Sequence, residues 1–206
     1  MIYCAWCKDK PCSTDNNEFP KNCPNNEDWM TNIKSEYHKE ENFKLFKTAA
    51  YVEKTGYGEW TRLQEIKEFA IKNNYKSLGL AFCQGLGVEA KIVADYFKFH
   101  GFNLYSAVCC TGAVDKTEMG VPQEYQFFAD KHESMCNPIG QAFMLNKCKT
   151  EFNIVLGLCV GHDSLFFKYS QAPTTVLAVK DRVLGHNPLA AVYCSNWYYK
   201  SKLFKK

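Results

Sequence analysis

The chain has no long apolar run. Its most hydrophobic stretch, residues 153–161, is about ten residues, half of the roughly 20 that a membrane-spanning helix needs. The N-terminal MIYCAWCKDK also lacks the basic segment and apolar core of a secretory leader. These two absences predict a cytoplasmic protein with no membrane partner. A strong charge of one sign is missing too. Lys and Arg number 25 against 22 Asp and Glu, and the resulting +3 is too small to argue for nucleic acid as a partner. The basic end, Lys200-Ser-Lys-Leu-Phe-Lys-Lys206, reads as a solvated terminus rather than a binding patch. No internal repeat and no low-complexity tract is visible. With 46% apolar and 23% charged residues the chain can bury a core, and its 206 residues suit one α/β domain with an appendage.

What the chain has in excess is cysteine. There are eleven, an odd number, in a chain too long to need disulfide staples. In a reducing compartment such a set points to metal ligation or thiol chemistry.

Three zones differ in texture. Residues 1–30 hold Cys4, Cys7, Cys12 and Cys23, three of the seven prolines and little periodicity. They read as a small knuckle folded around a metal, since they cannot make a core unaided. Residues 31–206 form the α/β domain, with a helical lead-in over 31–75 and a βα core over 77–206. In the lead-in, Phe43, Phe46, Lys47 and Ala50 make one helical row, and Leu63, Ile66, Phe69 and Ala70 another. Thr61 to Gln64 has the form of a capping box that opens the second helix, and Gly56-Tyr-Gly58 separates the two. Strands are expected at residues 77–83, 102–110, 152–159 and 174–180. Helices are expected from Gly87 to His100 and from the Asn-Pro pairs at Asn137-Pro138 and Asn187-Pro188. The alternation predicts a three-layer α/β fold, a mostly parallel sheet of about four strands of Rossmann- or flavodoxin-like type.

The first cysteine cluster, Cys4-x2-Cys7-x4-Cys12-x10-Cys23-Pro24, places four thiols in a segment with few other means of staying folded. A two-residue gap lets one backbone turn offer both sulfurs to one ion. Four Cys and no His suit tetrahedral zinc or a [4Fe–4S] cluster, and proline after the last Cys tips the choice to the cluster. The bland alternative is four reduced thiols packed as small hydrophobes.

The second set is dispersed. Cys83, Cys109 or Cys110, and Cys159 fall at the carboxyl ends of predicted strands, and Cys136 lies just before a helix start. In an open parallel sheet those ends line the ligand crevice. Gly85 and Gly87 let backbone come close, and the helix starts at Gly87, Pro138 and Pro188 favour an anion. His162 and Asp163 follow the third strand; Lys180, Asp181, Arg182 and His186 follow the fourth. The two His are candidates to accept a proton, the two Asp to orient their rings, and Lys180 or Arg182 to hold a carboxylate or phosphate. The alternative for the two Asp is simple helix capping. Gly85-x-Gly87-x-x-Ala90 has the form of a dinucleotide fingerprint, but the second strand ends in Cys109-Cys110-Thr111 instead of the acidic residue that holds a ribose, so NAD is not expected. A Cys with His162 or His186 as nucleophile and base remains a competing reading. Cys148 and Cys194 are expected inside helices.

These blocks together resemble one family. Cys4-x2-Cys7-x4-Cys12 with Lys21-Asn-Cys-Pro24, then Met135-Cys-Asn-Pro138, Gly157-Leu-Cys-Val-Gly-His-Asp163 and Lys180-Asp-Arg-Val-Leu-Gly-His-Asn-Pro188, are similar to the uncharacterised prokaryotic family labelled cysteine-rich metal-binding protein (domain of unknown function 1847). The resemblance runs over essentially the whole chain. It implies metal or iron–sulfur binding, with no established reaction. Its cysteine-rich blocks fall on Cys4, Cys7, Cys12, Cys23, Cys83, Cys136 and Cys159, with Cys109 or Cys110 unresolved. The expected function is therefore an iron–sulfur protein with a second cysteine-lined site facing an anionic or sulfur-bearing small molecule, and with a redox partner. The alternatives are a non-catalytic metal carrier or sensor, and a structural zinc knuckle on a small-molecule binding domain.

Overall fold

Short apolar runs separated by helical periods can bury both faces of a strand only if helices cover the sheet on each side. The computed structural model, which describes residues 4–8, 10–15, 18–128 and 130–205, has this arrangement in the second of two compact units, Met1–Glu59 and Trp60–Lys206. The division falls after Glu59, so the first two helices go with the cysteine-rich segment. No helix among the described residues is long and apolar enough to cross a membrane.

In the first unit, short 3-10 turns at Cys4–Trp6, Pro11–Ser13 and Pro24–Asn26 lead to α1 (Trp29–Tyr37) and α2 (Glu40–Gly56). The buried stripe of α2 is Thr48, Val52 and Gly56. The expected row through Phe43, Phe46 and Ala50 stays out of the core: the two Phe are 47% and 52% exposed. Phe46 instead meets the edge of Tyr37 of α1, with ring centroids 5.1 Å apart. The spacing marks the helix, and what lies against it decides which row is buried.

The second unit opens on α3 (Arg62–Lys72), capped as its sequence predicts. Thr61 N–H donates to Gln64 Oε1 at 2.8 Å, and Gln64 N–H returns to Thr61 Oγ1 at 3.4 Å. Four strands follow, β1 (Ser77–Phe82), β2 (Asn103–Val108), β3 (Phe152–Leu156) and β4 (Thr174–Ala178), all parallel in the order β2-β1-β3-β4. The intervening helices are α4 (Gly87–Phe99), α5 (Pro138–Lys147) and α6 (His162–Tyr169); α7 (Leu189–Tyr193) and α8 (Lys200–Leu203) close the described chain. Strand alternation gives two cores. Leu78, Leu80, Ile154 and Leu156 face α3 and α4 with Ala70, Val93 and Phe97. Ala81, Ala107 and Val155 face α5 and α6 with Ala142, Leu145 and Phe166. Each large apolar side chain so buried contributes about 1.5–3 kcal/mol. The result is the expected three-layer α/β sandwich.

Two glycines are needed sterically. A Cβ on Gly79 would lie 2.0 Å from Asn153 Oδ1, and Gly157, at φ +66°, would put one 2.2 Å from Leu86 Cδ1. Three sequence expectations change. The eight-residue α6 has no counterpart among the expected elements, being too short for a clear 3.6-residue period. The helix expected from Pro188 runs for only five residues, too few to build an anion site at its start. Cys148 and Cys194 are the capping residues just beyond α5 and α7, not helix interior.

Candidate functional site

In the order β2-β1-β3-β4 the chain leaves β1 toward one side and β3 toward the other, so the loops after these two strands diverge and open a crevice. Cys83 is the residue after β1, Cys109 the residue after β2, and Cys159 lies three residues past β3. Cys136 immediately precedes Asn137, whose side-chain oxygen caps α5 by accepting from Gly140 N–H at 2.8 Å.

Three of these sulfurs meet. The thiols of Cys136 and Cys83 donate to the sulfur of Cys109, and Gln84 N–H adds a donor at 3.3 Å. The Cys136 hydrogen bond is the largest of the influences that hold Cys109 down to about 5, against the opposing effect of burial. Cys136 is pushed far above the ordinary thiol range, first by the same hydrogen bond and then by burial. At neutral pH the pair keeps one proton, on Cys136. The neighbouring Cys110 donates to Gln84 Oε1 at 3.2 Å and also hydrogen-bonds with Cys109. Cys109 is buried in the core beneath α5, whereas Cys110 is partly exposed. The fourth sulfur, Cys159, accepts from Arg182 Nη2 at 3.2 Å. Lys180 lies across the mouth, its Nζ and the Cys83 sulfur each 3.9 Å from where a Gly85 Cβ would sit. Gly87 has open space around its missing Cβ.

The thiols are held by α5. Gln141, fully buried, donates from Nε2 to the carbonyls of Phe82 at 3.1 Å and Ala107 at 2.7 Å, tying together the strand ends that carry Cys83 and Cys109. Asn137 N–H donates to Cys109 O at 2.6 Å, and Asn137 Nδ2 to Thr111 O at 3.1 Å. Gln141 Oε1 is buried and has no hydrogen-bond partner among the described residues. The sequence reading missed Gln141. A lone amide in the apolar stripe with Ala142 and Leu145 is the signal that marks it.

The expected acid–base residues behave differently. Asp163 accepts from the N–H groups of Gly161 and Ser164, and Asp181 from those of Val183 and Leu184, so both carboxylates brace their own loops. Ring orientation at His186 comes from the backbone: Asp181 N–H donates to His186 Nδ1 at 3.1 Å, and the residue sits at φ +67°. That bond assigns the neutral ring's hydrogen to Nε2, so His186 presents a donor rather than the proton acceptor expected. His162 begins α6, its N–H bonded to Cys159 O at 3.0 Å.

The first cluster is arranged otherwise. Cys7 N–H donates to Cys4 O at 3.2 Å within one turn, and Cys23 precedes the turn at Pro24–Asn26. Cys4 and Cys12 are exposed, while Cys7 and Cys23 are half-buried; all eleven cysteines are free thiols. Among the described residues, no three His, Cys, Asp or Glu side chains are placed so as to hold a metal ion. The donor sets are soft and suit such a centre in kind, but the side chains as placed do not enclose one.

The profile of a family described as a protein of unknown function (DUF1847) matches residues 22–177, a span that takes in β1 to β4 nearly whole and every crevice cysteine. The chain belongs to the DUF1847 family. It is also 46% identical over 202 residues, covering 98% of each chain, to an uncharacterized protein of Methanocaldococcus jannaschii. No solved structure matches. The DUF1847 span includes Cys23 but begins after Cys12, and it ends before Lys180 and Arg182.

Proposed function

We propose that the crevice of this DUF1847 protein binds a thiolate-ligated metal centre, an iron–sulfur cluster in first place, through Cys83, Cys109, Cys136 and Cys159. Cys4, Cys7, Cys12 and Cys23 form a second thiolate set, for a [4Fe–4S] cluster or zinc. The supporting observation is the convergence of three cysteines from two strand ends and one helix start, where hydrogen bonds from Cys136 and Cys83 hold the Cys109 thiol low. Soft metals take thiolates, so loading releases the proton kept on Cys136 and tightens as pH rises. Four thiolates leave the site negative. Arg182 on Cys159 and Lys180 at the mouth offset that charge and leave donors for an anionic or sulfur-bearing small molecule.

The test is strictly anaerobic purification followed by iron, zinc and acid-labile sulfide analysis of the native chain, Cys109→Ser and Cys23→Ser. The reading expects iron with sulfide, partly lost in each variant and wholly lost in the double variant. Metal-free protein under those conditions, or unchanged content in Cys109→Ser, overturns it for the crevice. Exchangeable metal without sulfide points to a carrier or sensor, and zinc confined to the Cys23-dependent set points to a structural knuckle.

A second reading draws on the shared proton itself. A thiolate beside a thiol is the arrangement of a redox-active or nucleophilic dithiol. It expects one thiol of the metal-free chain to alkylate rapidly at pH 6, mapped to Cys109, with catalysis independent of metal.

A further inference from the structure

The loop between the second and third strands is held by a set of side-chain to backbone bonds. Lys116 and Glu133 form a largely buried ion pair across its base. The same Glu133 carboxylate accepts the backbone N–H groups of Phe127 and Phe128, at 2.7 and 3.0 Å. Asp115 accepts from Thr117 and Glu133 N–H and pairs with His132, and the Asp115–Ser134 bridge closes the neck. What this framework holds up to solvent is apolar. Phe127 is 87% exposed, and Tyr125, Met119 and Phe128 are exposed beside it. The exposed charges around them are mostly acidic, Glu118, Glu124 and Asp130 against Lys131.

The last part of the chain has the opposite character. From residue 183 onward there is no Asp or Glu, while Lys200, Lys202 and Lys205 are exposed. No residue of α7 or α8 is buried. Trp197 is 84% exposed, and Tyr193, Tyr198 and Phe204 are exposed with it. The segment that reads in sequence as a solvated end is thus an aromatic surface carrying positive charge. Lys202 Nζ lies 4.7 Å from the Tyr198 ring centroid, which fixes charge and ring together.

We infer that the acidic aromatic loop of one copy receives the basic aromatic tail of a second copy, and that two such contacts close a symmetric dimer. Aromatic side chains and methionine are the residues that interfaces concentrate. The two patches are complementary in charge and each is repelled by itself, which selects loop-to-tail over tail-to-tail pairing. A two-fold axis satisfies both pairs at once and leaves no open end. The backbone of Phe127 and Phe128 is already held by Glu133, which lowers the entropy that docking costs.

The decisive experiment is light scattering coupled to size exclusion on the full chain, at about 0.1 M and 1 M salt. A dimer is expected at low salt, with dissociation increased by salt. Lys200→Glu with Lys202→Glu should give a monomer, and so should Glu124→Lys with Asp130→Lys. Mixing the two variants should restore a dimer, because the acidic tail of the first then meets the basic loop of the second, and the native basic tail of the second meets the native acidic loop of the first. Circular dichroism melts of both variants matching the native chain guard against misfolding. A native chain that stays monomeric at high micromolar concentration overturns the inference. So does a dimer indifferent to both reversals, or a mixture that remains monomeric. Binding of the native monomer to anionic vesicles, abolished by the lysine reversal, would assign the tail to a lipid surface instead.

Discussion

The two sets of cysteines solve one problem in opposite ways. Cys4, Cys7, Cys12 and Cys23 are neighbours in sequence, yet two are exposed and the segment around them consists of short 3-10 turns with a single buried residue among them, Pro11. Cys83, Cys109, Cys136 and Cys159 are scattered along the chain, yet Cys109 hydrogen-bonds with both Cys136 and Cys83. Nearness along the chain does not order a side chain; a packed frame does. The crevice set hangs from strand ends fixed by a sheet and from a helix start fixed by Asn137 and Gln141. Among the described residues, the first set hangs from short turns rather than from strand ends or a capped helix.

The largest effect that separates the two is metal removal. A chelator should raise protease cleavage within residues 10–28 by about tenfold or more while leaving residues 60–205 resistant, as read by mass spectrometry of timed digests. Equal protection of both regions before and after chelation would break the contrast. Next in size, Gly157→Ala forces a Cβ into Leu86 at a left-handed backbone position and should destabilise the second unit by about 3 kcal/mol. Denaturant unfolding measures it, and cleavage of the N-terminal segment should not change. Gln141→Leu removes the donor shared by the Phe82 and Ala107 carbonyls and should cost about 2 kcal/mol, with crevice metal lost at the same time and N-terminal metal retained. If metal content at Cys109 survives that substitution, the frame is not what holds the thiols.

The finest test is the pH dependence of the metal-free chain. Cys109 is held at about 5 when folded and titrates near 9.0 when free. Between those values the unfolded chain binds a proton the folded chain does not, so stability from this group rises with pH over 5–9 and is lost as pH falls toward 5. Cys136 is raised, so above about 9 the folded chain keeps a proton that the unfolded one releases, and stability falls again. Melting temperature should therefore peak near pH 9, and Cys109→Ala should flatten the rising limb. A melting profile already flat in the native chain would remove the shared proton.

Much of the scaffold is written locally. The Thr61–Gln64 box, the Asn137-Pro138 helix start and the apolar runs of the four strands each depend on residues within one turn or one strand, and each is found where its pattern puts it. The row Ile66 and Ala70 is buried for the same reason. The row Phe43 and Phe46 is not, because burial of a helix face depends on what lies against it. Local pattern also placed cysteines at strand ends.

What it could not decide is which of Cys109 and Cys110 turns inward, since adjacent residues leave a strand end on opposite sides and only the position of Gln84 and α5 distinguishes them. Nor could it find Gln141, whose role exists only once two strand ends lie 2.7–3.1 Å from its amide. The same holds for His186, which sequence offers as a base and the Asp181 backbone turns into a donor. Residue type and spacing determined the strands, the caps and the chemistry available to the sulfurs. Which sulfurs meet, which one carries the proton and which donor fixes each ring were decided by tertiary packing, because hydrogen bonds between distant positions form only after the sheet has brought their carriers together.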